Sequence, residues 1–218
     1  MIKAIIFDMD GVILNSMPMH IHIWKNIFEK RGIKFNLKEF EKYNGTSTKE
    51  IAQRIIREHN LKEVYHNIVK EKRESERKFQ DKIIFFKDTL SSLKKLRKQG
   101  YKLALATSAM PPMVKYVKKR FHFNLYFDAI TSSVEVKHSK PSPDIFILAA
   151  KKIGIKNSEC AVVEDSLNGI IAAKKAGMSA VAITNTFKKK VFIKKADLII
   201  NSLTELTKKD FGDKLCAE

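Results

Sequence analysis

Cysteine is almost absent from this chain: Cys160 and Cys216 are the only two among 218 residues. So few exclude a disulfide framework and a cysteine-rich zinc centre, and the expected setting is a reducing, cytoplasmic one. No apolar run approaches the ~20 residues that a membrane span requires, so no membrane partner is expected. The apolar stretch at residues 4–7 is cut short by Asp8 and is followed by no small-residue cleavage site, which argues against a secretory leader. Neither GxGxxG nor GxxxxGK followed by Ser or Thr occurs, so dinucleotide-binding and P-loop readings lose their main support. Internal repeats and low-complexity linkers are missing too. Acidic residues are outnumbered, 24 Asp+Glu against 42 Lys+Arg, for a net charge of +18. That surplus admits a nucleic-acid surface, attraction of small anions, or solvated decoration. The lysines are spread over residues 70–72, 94–98, 118–120, 188–190 and 194–195, without zinc-finger spacing, a recognition-helix pattern or interleaved aromatics. Decoration is therefore the expectation.

Hydrophobic residues make up 44% of the chain, enough to bury a core and exclude intrinsic disorder. At ~150 residues per domain, the length implies one domain, or one with a smaller insert. Short β-branched and apolar runs at residues 2–7, 102–106, 129–132, 160–163, 178–183 and 198–200 read as strands. Near-continuous apolar strands are those buried on both faces, as in a parallel sheet. Helical spacing at 89–99, 114–120, 143–153 and 167–176 alternates with them from about residue 82 onward, and Gly100, Gly154 and Gly177 act as stops. This rhythm predicts right-handed crossovers and an α/β fold with a doubly wound, Rossmann-like parallel sheet. Residues 16–82 break the rhythm with helical patterns at 19–30, 48–59 and 61–79 and no strand candidate. They read as an inserted α-helical cap domain, with 1–15 and 83–218 forming the catalytic core.

In open α/β sheets, ligands bind beyond the carboxyl ends of the strands. Those ends here carry Asp8 and Asp10, Thr107 and Ser108, and Glu164 and Asp165. Carboxylates packed this closely repel one another, and a divalent cation is the usual way to keep them ionised. A hard Mg²⁺ with oxygen ligands suits Asp8, Glu164 and Asp165. Turn-capping is the alternative for an isolated Asp-x-Asp; the second acidic pair at another strand end shifts the balance.

Phe7-Asp8-Met9-Asp10-Gly11-Val12, Thr107-Ser108, Lys140-Pro141-Ser142-Pro143-Asp144 and Glu164-Asp165-Ser166, in that order, resemble the four motifs of the haloacid dehalogenase superfamily. The resemblance covers nearly the whole chain. It is strongest to the helical-cap branch that includes β-phosphoglucomutases and phosphoglycolate phosphatases. It implies that Asp8 is a nucleophile forming an aspartyl phosphate, and that Asp10 is the general acid and then the base. It also implies Mg²⁺ held by Asp8, the Asp10 backbone carbonyl, Glu164 and Asp165. Lys140 would neutralise charge, while the Thr107 hydroxyl and the Ser108 and Ala109 amides would hold phosphate oxygens.

The cap should exclude water and read the rest of the substrate. Candidates are His20, the turn that includes Thr48 and Lys49, and Lys72; packing in the helical stripe with Trp24 is the alternative for His20. The mutases carry Arg directly after the Ser that matches Ser47, whereas here Thr48 stands there, with Lys49 next. The resemblance thus points to a Mg²⁺-dependent phosphomonoester hydrolase. It would be a monomer acting on a small phosphorylated metabolite, sugar-like or a hydroxy acid. The alternatives are β-phosphoglucomutase chemistry and, from another class, a nucleic-acid-binding protein using the basic surface.

Overall fold

A computed structural model describes residues 1–206; Cys216 and the C-terminal end of the expected core segment lie outside the described residues. The chain runs β1 (Ala4–Phe7), β2 (Leu14–Asn15), α1 (Met17–Glu29), α2 (Leu37–Phe40), α3 (Thr48–Glu58), α4 (Tyr65–Phe79) and β3 (Ile84–Phe85). It continues through α5 (Thr89–Lys98), β4 (Lys102–Thr107), α6 (Pro111–Arg120), β5 (Ala129–Ser132) and α7 (Asp144–Ile153). The last elements are β6 (Cys160–Glu164), α8 (Leu167–Lys175), β7 (Ser179–Ile183) and β8 (Leu198–Ile200). All six expected strands form one parallel sheet in the order β5-β4-β1-β6-β7-β8.

Side chains alternate between the two faces of a strand, and here the faces differ in bulk. Ile5, Phe7, Leu103, Leu105, Val163 and Ile183 point to one side, where they pack with Leu93 and Leu96 of α5 and Met113 and Val117 of α6. Ala4, Ala104, Ala106, Ala180 and Ala182 point to the other, against Ala149 and Ala150 of α7 and Ala172 and Ala173 of α8. Alanine on alanine lets α7 and α8 lie close to the sheet, while the opposite face is filled by large side chains. Both faces are covered, which is why the strands read as apolar runs.

Two helices start three or four residues away from where their sequence pattern implied. The helix expected from residue 114 begins at Pro111, because proline is tolerated in a first turn whose N–H groups lack intrahelical partners. The pattern from residue 61 becomes helical only at Tyr65, after Asn60 takes a left-handed turn with φ 51°.

Helices α1–α4 have a core of their own. Ile23, Trp24, Ile27 and Phe28 of α1 pack with Phe40, Tyr43, Ile51, Ile55 and Ile68. The chain leaves the sheet through β2 and returns through β3, and these two strands pair antiparallel, Asn15 opposite Ile84. No described helix is long and apolar enough to cross a membrane.

Candidate active site

The strand order reverses around β1, which has β4 on one side and β6 on the other, and there the carboxyl ends open a crevice. Register fixes what meets in it. Phe7 lies opposite Val163, so the next residues, Asp8 and Glu164, leave the sheet side by side. The Asp8 amide donates to the Val163 carbonyl at 3.0 Å, keeping the strands joined to that point.

Asp8, Glu164 and Asp165 are buried, and one carboxylate oxygen of each lies within 4.8 Å of the others. Lys140 reaches in from the loop before α7, and its fully buried Nζ donates to Asp8 Oδ1 and to Glu164 Oε1, both at 2.6 Å. Glu164 Oε2 accepts the Ser166 amide at 2.9 Å and the Ser166 hydroxyl at 2.8 Å, which fixes its carboxylate in one plane. Asp165 accepts a short hydrogen bond from Thr186.

Two glycines make room for this cluster. A Cβ on Gly169 would sit 1.9 Å from Glu164 Cδ, and one on Gly11, whose φ is +81°, would sit 1.9 Å from Asp165 Oδ2. Three carboxylates against one ammonium leave two negative charges in a buried space. Burial therefore pushes Asp8 up to about 8, with Glu164 and Asp10 adding to the push and Lys140 opposing it. Asp165 is raised as well, by burial first and then by Glu164 and Asp8. Burial alone would lower Lys140, but Asp8 and Glu164 carry it upward, so it stays charged. The donor set is all hard oxygen and short of two positive charges, which fits a divalent cation such as Mg²⁺.

Asp10 faces the other way, toward the helices. Its Oδ1 accepts from Ser16 Oγ at 2.5 Å and lies 3.2 Å from His20 Nε2. His20 Nδ1 lies 3.0 Å from Lys72 Nζ. An ammonium can only donate, so Nδ1 accepts and Nε2 carries the proton shared with Asp10. Burial works to raise Asp10, but His20, Ser16 and Lys72 together hold it below the ordinary carboxylate value. Lys72 also donates to Glu76 one turn further along α4 and sits 5.7 Å from the centre of the Trp24 ring.

A small cavity of about 90 Å³ lies between the sheet end and α1–α4. Asp8, Asp10 and Asp165 line it from the core and His20, Thr48 and Lys72 from the helices, with Ser108 and Ala109 completing the rim. The structure thus brings together most of the residues expected from sequence. Lys49 is the exception and a correction. It is exposed on α3, with its Nζ 5.7 Å from the centre of the Tyr65 ring. Successive helical residues are about 100° apart, so turning Thr48 to the cavity turns Lys49 off it.

The expected phosphate donors are placed with one difference. Thr107 is fully buried at the end of β4 and its hydroxyl accepts the Ala109 amide at 3.1 Å, so these two groups face each other. The Ser108 hydroxyl donates to the Gly45 carbonyl at 2.7 Å and ties this loop to the helices. Asn168 does the same beyond Asp165, its amide donating to the Asn44 carbonyl at 2.8 Å and to the Lys42 carbonyl at 3.3 Å. Sequence reasoning missed Ser16, Glu76 and Thr186. Only Glu76 carried a signal, its i,i+4 spacing from Lys72. The lysines of the surplus are otherwise largely exposed, at 70, 94–95, 98, 118–119, 188–190 and 194–195.

A parallel sheet with carboxylates and a lysine gathered at its carboxyl end, under a helical layer, defines a phosphoryl-transfer type of site. The sequence pattern of the haloacid dehalogenase-like hydrolases matches residues 5–183, and the chain belongs to that family. It is 32% identical to the fructose-1-phosphate phosphatase YqaB of Escherichia coli over 183 residues, covering 83% of this chain and 95% of that one. It is 29% identical over 213 residues to the β-phosphoglucomutase of Bacillus subtilis, covering 94% and 92%. The crystal structure of a β-phosphoglucomutase from Clostridium difficile superposes with a TM-score of 0.85 at 28% identity, covering 99% of this chain and 97% of that one. The chain is accordingly an enzyme of the phosphatase type.

Proposed function

We propose that this enzyme is a Mg²⁺-dependent phosphomonoester hydrolase that works through an aspartyl phosphate on Asp8, with a small sugar-like or hydroxy-acid phosphate as substrate. The carrying observation is that two carboxylates two residues apart have opposite environments. Asp8 lies in a carboxylate cluster against Lys140, and Asp10 lies on a Ser16–His20 pair facing the cavity. This geometry sets Asp8 at the charge cluster and Asp10 at a proton-sharing pair, which separates a nucleophile from a proton carrier.

Asp8, Glu164, Asp165 and the Asp10 backbone carbonyl would hold Mg²⁺, which when bound supplies positive charge against the phosphoryl oxygens. Lys140 holds Asp8 Oδ1, leaving Oδ2 to attack phosphorus. A bond forms from Asp8 to phosphorus, the ester P–O bond breaks, and Asp10, which takes up a proton once the incoming phosphate adds negative charge beside it, gives that proton to the departing alkoxide. Asp10 then takes a proton from water, which attacks the aspartyl phosphate and releases inorganic phosphate and free Asp8. Thr107 and the Ser108 and Ala109 amides would bind the phosphoryl oxygens once Ala109 exchanges its internal partner for substrate. Residues 16–82 would act as the cap, with 1–15 and 83–218 as the core, and exclude water while His20, Thr48 and Lys72 meet the substrate. A free, buried Cys160 is consistent with a reducing cytoplasmic setting, and we read the enzyme as a monomer.

Phosphate release from a panel of phosphorylated metabolites, with Mg²⁺ and with chelator, tests the proposal. Asp8→Asn is expected to abolish turnover with the fold retained; activity within about tenfold of wild type, ~1.4 kcal/mol in barrier, would exclude Asp8 as nucleophile. The likeness to β-phosphoglucomutases favours a second reading, transfer of the phosphoryl group back to sugar. Conversion of β-glucose 1-phosphate plus a trace of bisphosphate into glucose 6-phosphate without net phosphate release would establish it against hydrolysis.

A further inference from the structure

Among the described residues, the cap end of the cavity has one cation, and that cation is already neutralised. Lys72 is 3% exposed and is held by Glu76, by His20 Nδ1 and over the Trp24 ring. The other charged side chain that the helical layer brings to this end is Glu76, paired with Lys72. Among the described residues these two charges cancel, so this end offers a second anion no net positive charge. Other cations are directed elsewhere. Lys140 is pinned to Asp8 and Glu164 at the core end, Lys49 lies over Tyr65, and Arg73 and Arg77 line an outer groove against α6, on the far side of Glu76, which lines both spaces. What remains on the cap side of the cavity is uncharged: Trp24, Tyr43, Asn44, Thr46 and Thr48.

We propose that Glu76, through its pairing with Lys72, makes this cavity selective for phosphomonoesters whose remainder is uncharged and hydroxyl-rich, and excludes esters with a second anionic group. The proposal rests on the hydrolase reading and narrows its substrate class to polyol-like esters over hydroxy-acid esters and bisphosphates. A second carboxylate or phosphate entering the cap end would lose its water, meet Glu76, and find no unpaired ammonium among the described residues. Rejection by like charge is as effective a source of specificity as attraction of the right ligand. Glu76 is a specificity-determining residue that acts through Lys72.

The matched probes are sorbitol 6-phosphate and 6-phosphogluconate, which differ only in CH₂OH against COO⁻ at carbon 1. Phosphate release from either ester by the wild-type enzyme tests the hydrolase reading. The role of Glu76 is read separately, by calorimetric affinity in the Asp8→Asn background, where neither ester turns over. With Glu76 in place the sorbitol ester is expected to bind at least about tenfold tighter, and Glu76→Gln should reduce that preference to within about threefold by tightening the gluconate ester. Glu76→Asp should keep the preference, which loss of packing alone would not predict. Thr48→Lys is a second arm independent of the folding of any Glu76 variant: an added ammonium should raise affinity for the gluconate ester alone. A preference below twofold with Glu76 present, or one unchanged in Glu76→Gln, overturns the proposal. Equal gains for both esters in Thr48→Lys overturn it as well.

Discussion

Gly169→Ala isolates the fit between α8 and the acidic cluster in a single methyl group. Gly169 sits in the first turn of α8, where its amide donates to the N-cap hydroxyl of Ser166 at 3.1 Å. It carries no left-handed φ, so helix propensity alone would make alanine stabilising by about 0.8–1.0 kcal/mol. The space argues the opposite. The new Cβ would lie 1.9 Å from Glu164 Cδ and 2.0 Å from Oε1, and ordinary contact needs roughly 3.5 Å, so the carboxylate or the helix must move by ~1.5 Å. Glu164 cannot shift that far and keep both Lys140 at 2.6 Å and the Ser166 amide at 2.9 Å. A hydrogen bond to a charged group contributes about 1.5–3 kcal/mol, so losing one already outweighs the helix gain, and losing two gives a net destabilisation of about 2–5 kcal/mol. Displacing Lys140 by ~1 Å should also lower kcat/KM by about a hundredfold. Urea unfolding and phosphate-release kinetics on the same preparation measure both. A variant more stable than wild type with full activity would refute the reasoning, because it would mean that Glu164 does not occupy the place described.

Asn168→Ala removes the amide that donates to the Lys42 and Asn44 carbonyls; at about 1 kcal/mol per hydrogen bond, KM should rise several-fold with kcat changed less, and an unchanged KM would dismiss this contact as a latch. Burial first, and Glu159 second, push the Cys160 thiol up to about 11, so in a Cys216→Ser background a thiol reagent at pH 8 should react only on denaturation; stoichiometric labelling of the native protein would contradict the burial. Burial works to raise Glu58, but hydrogen bonds from Lys42 and Tyr43 bring it down to about 2. Its folded value lies below the unfolded one near 4.5, so its contribution is present above pH 4.5 and is lost as pH falls toward 2. Glu58→Gln should flatten the loss of stability across that window, and an unaltered slope in urea midpoints would remove Glu58 from the account.

Legibility in the sequence followed burial. Strands β1, β4, β6 and β7 were readable because helices cover both faces, so every position after the first is apolar until a polar residue interrupts the run. That interruption located Asp8, Thr107 and the Glu164–Asp165 pair. Strands β2 and β3 have two residues each, too few for any period to show. Thr48 and Lys49 were indistinguishable in one dimension, since only the phase of α3 decides which of two neighbours faces the cavity. Glu76 was hidden by its company: α4 is so rich in charge that an i,i+4 pair reads as solvated, and nothing local reveals that the Lys72 turn is the buried one. Thr186 reaches Asp165 from another loop across 21 residues, a contact that no short motif encodes.

The loops that carry the groups to which the proposed mechanism gives roles also bond to the helical layer. Ser108 adjoins Thr107 and grips Gly45, Ser139 precedes Lys140 and bonds Glu50, and Asn168 follows Asp165 and grips Asn44. Each clasp therefore sits within three residues of Thr107, Lys140 or Asp165, the groups on which turnover would depend in the proposed mechanism. Lifting the helices to admit substrate would release all three loops together, and lowering them would tension all three at once. If residues 16–82 act as the proposed cap, assembly of the reaction centre and closure of its roof would in that sense be one event, and water reaching an open cleft would find the groups that could misuse it least well aligned.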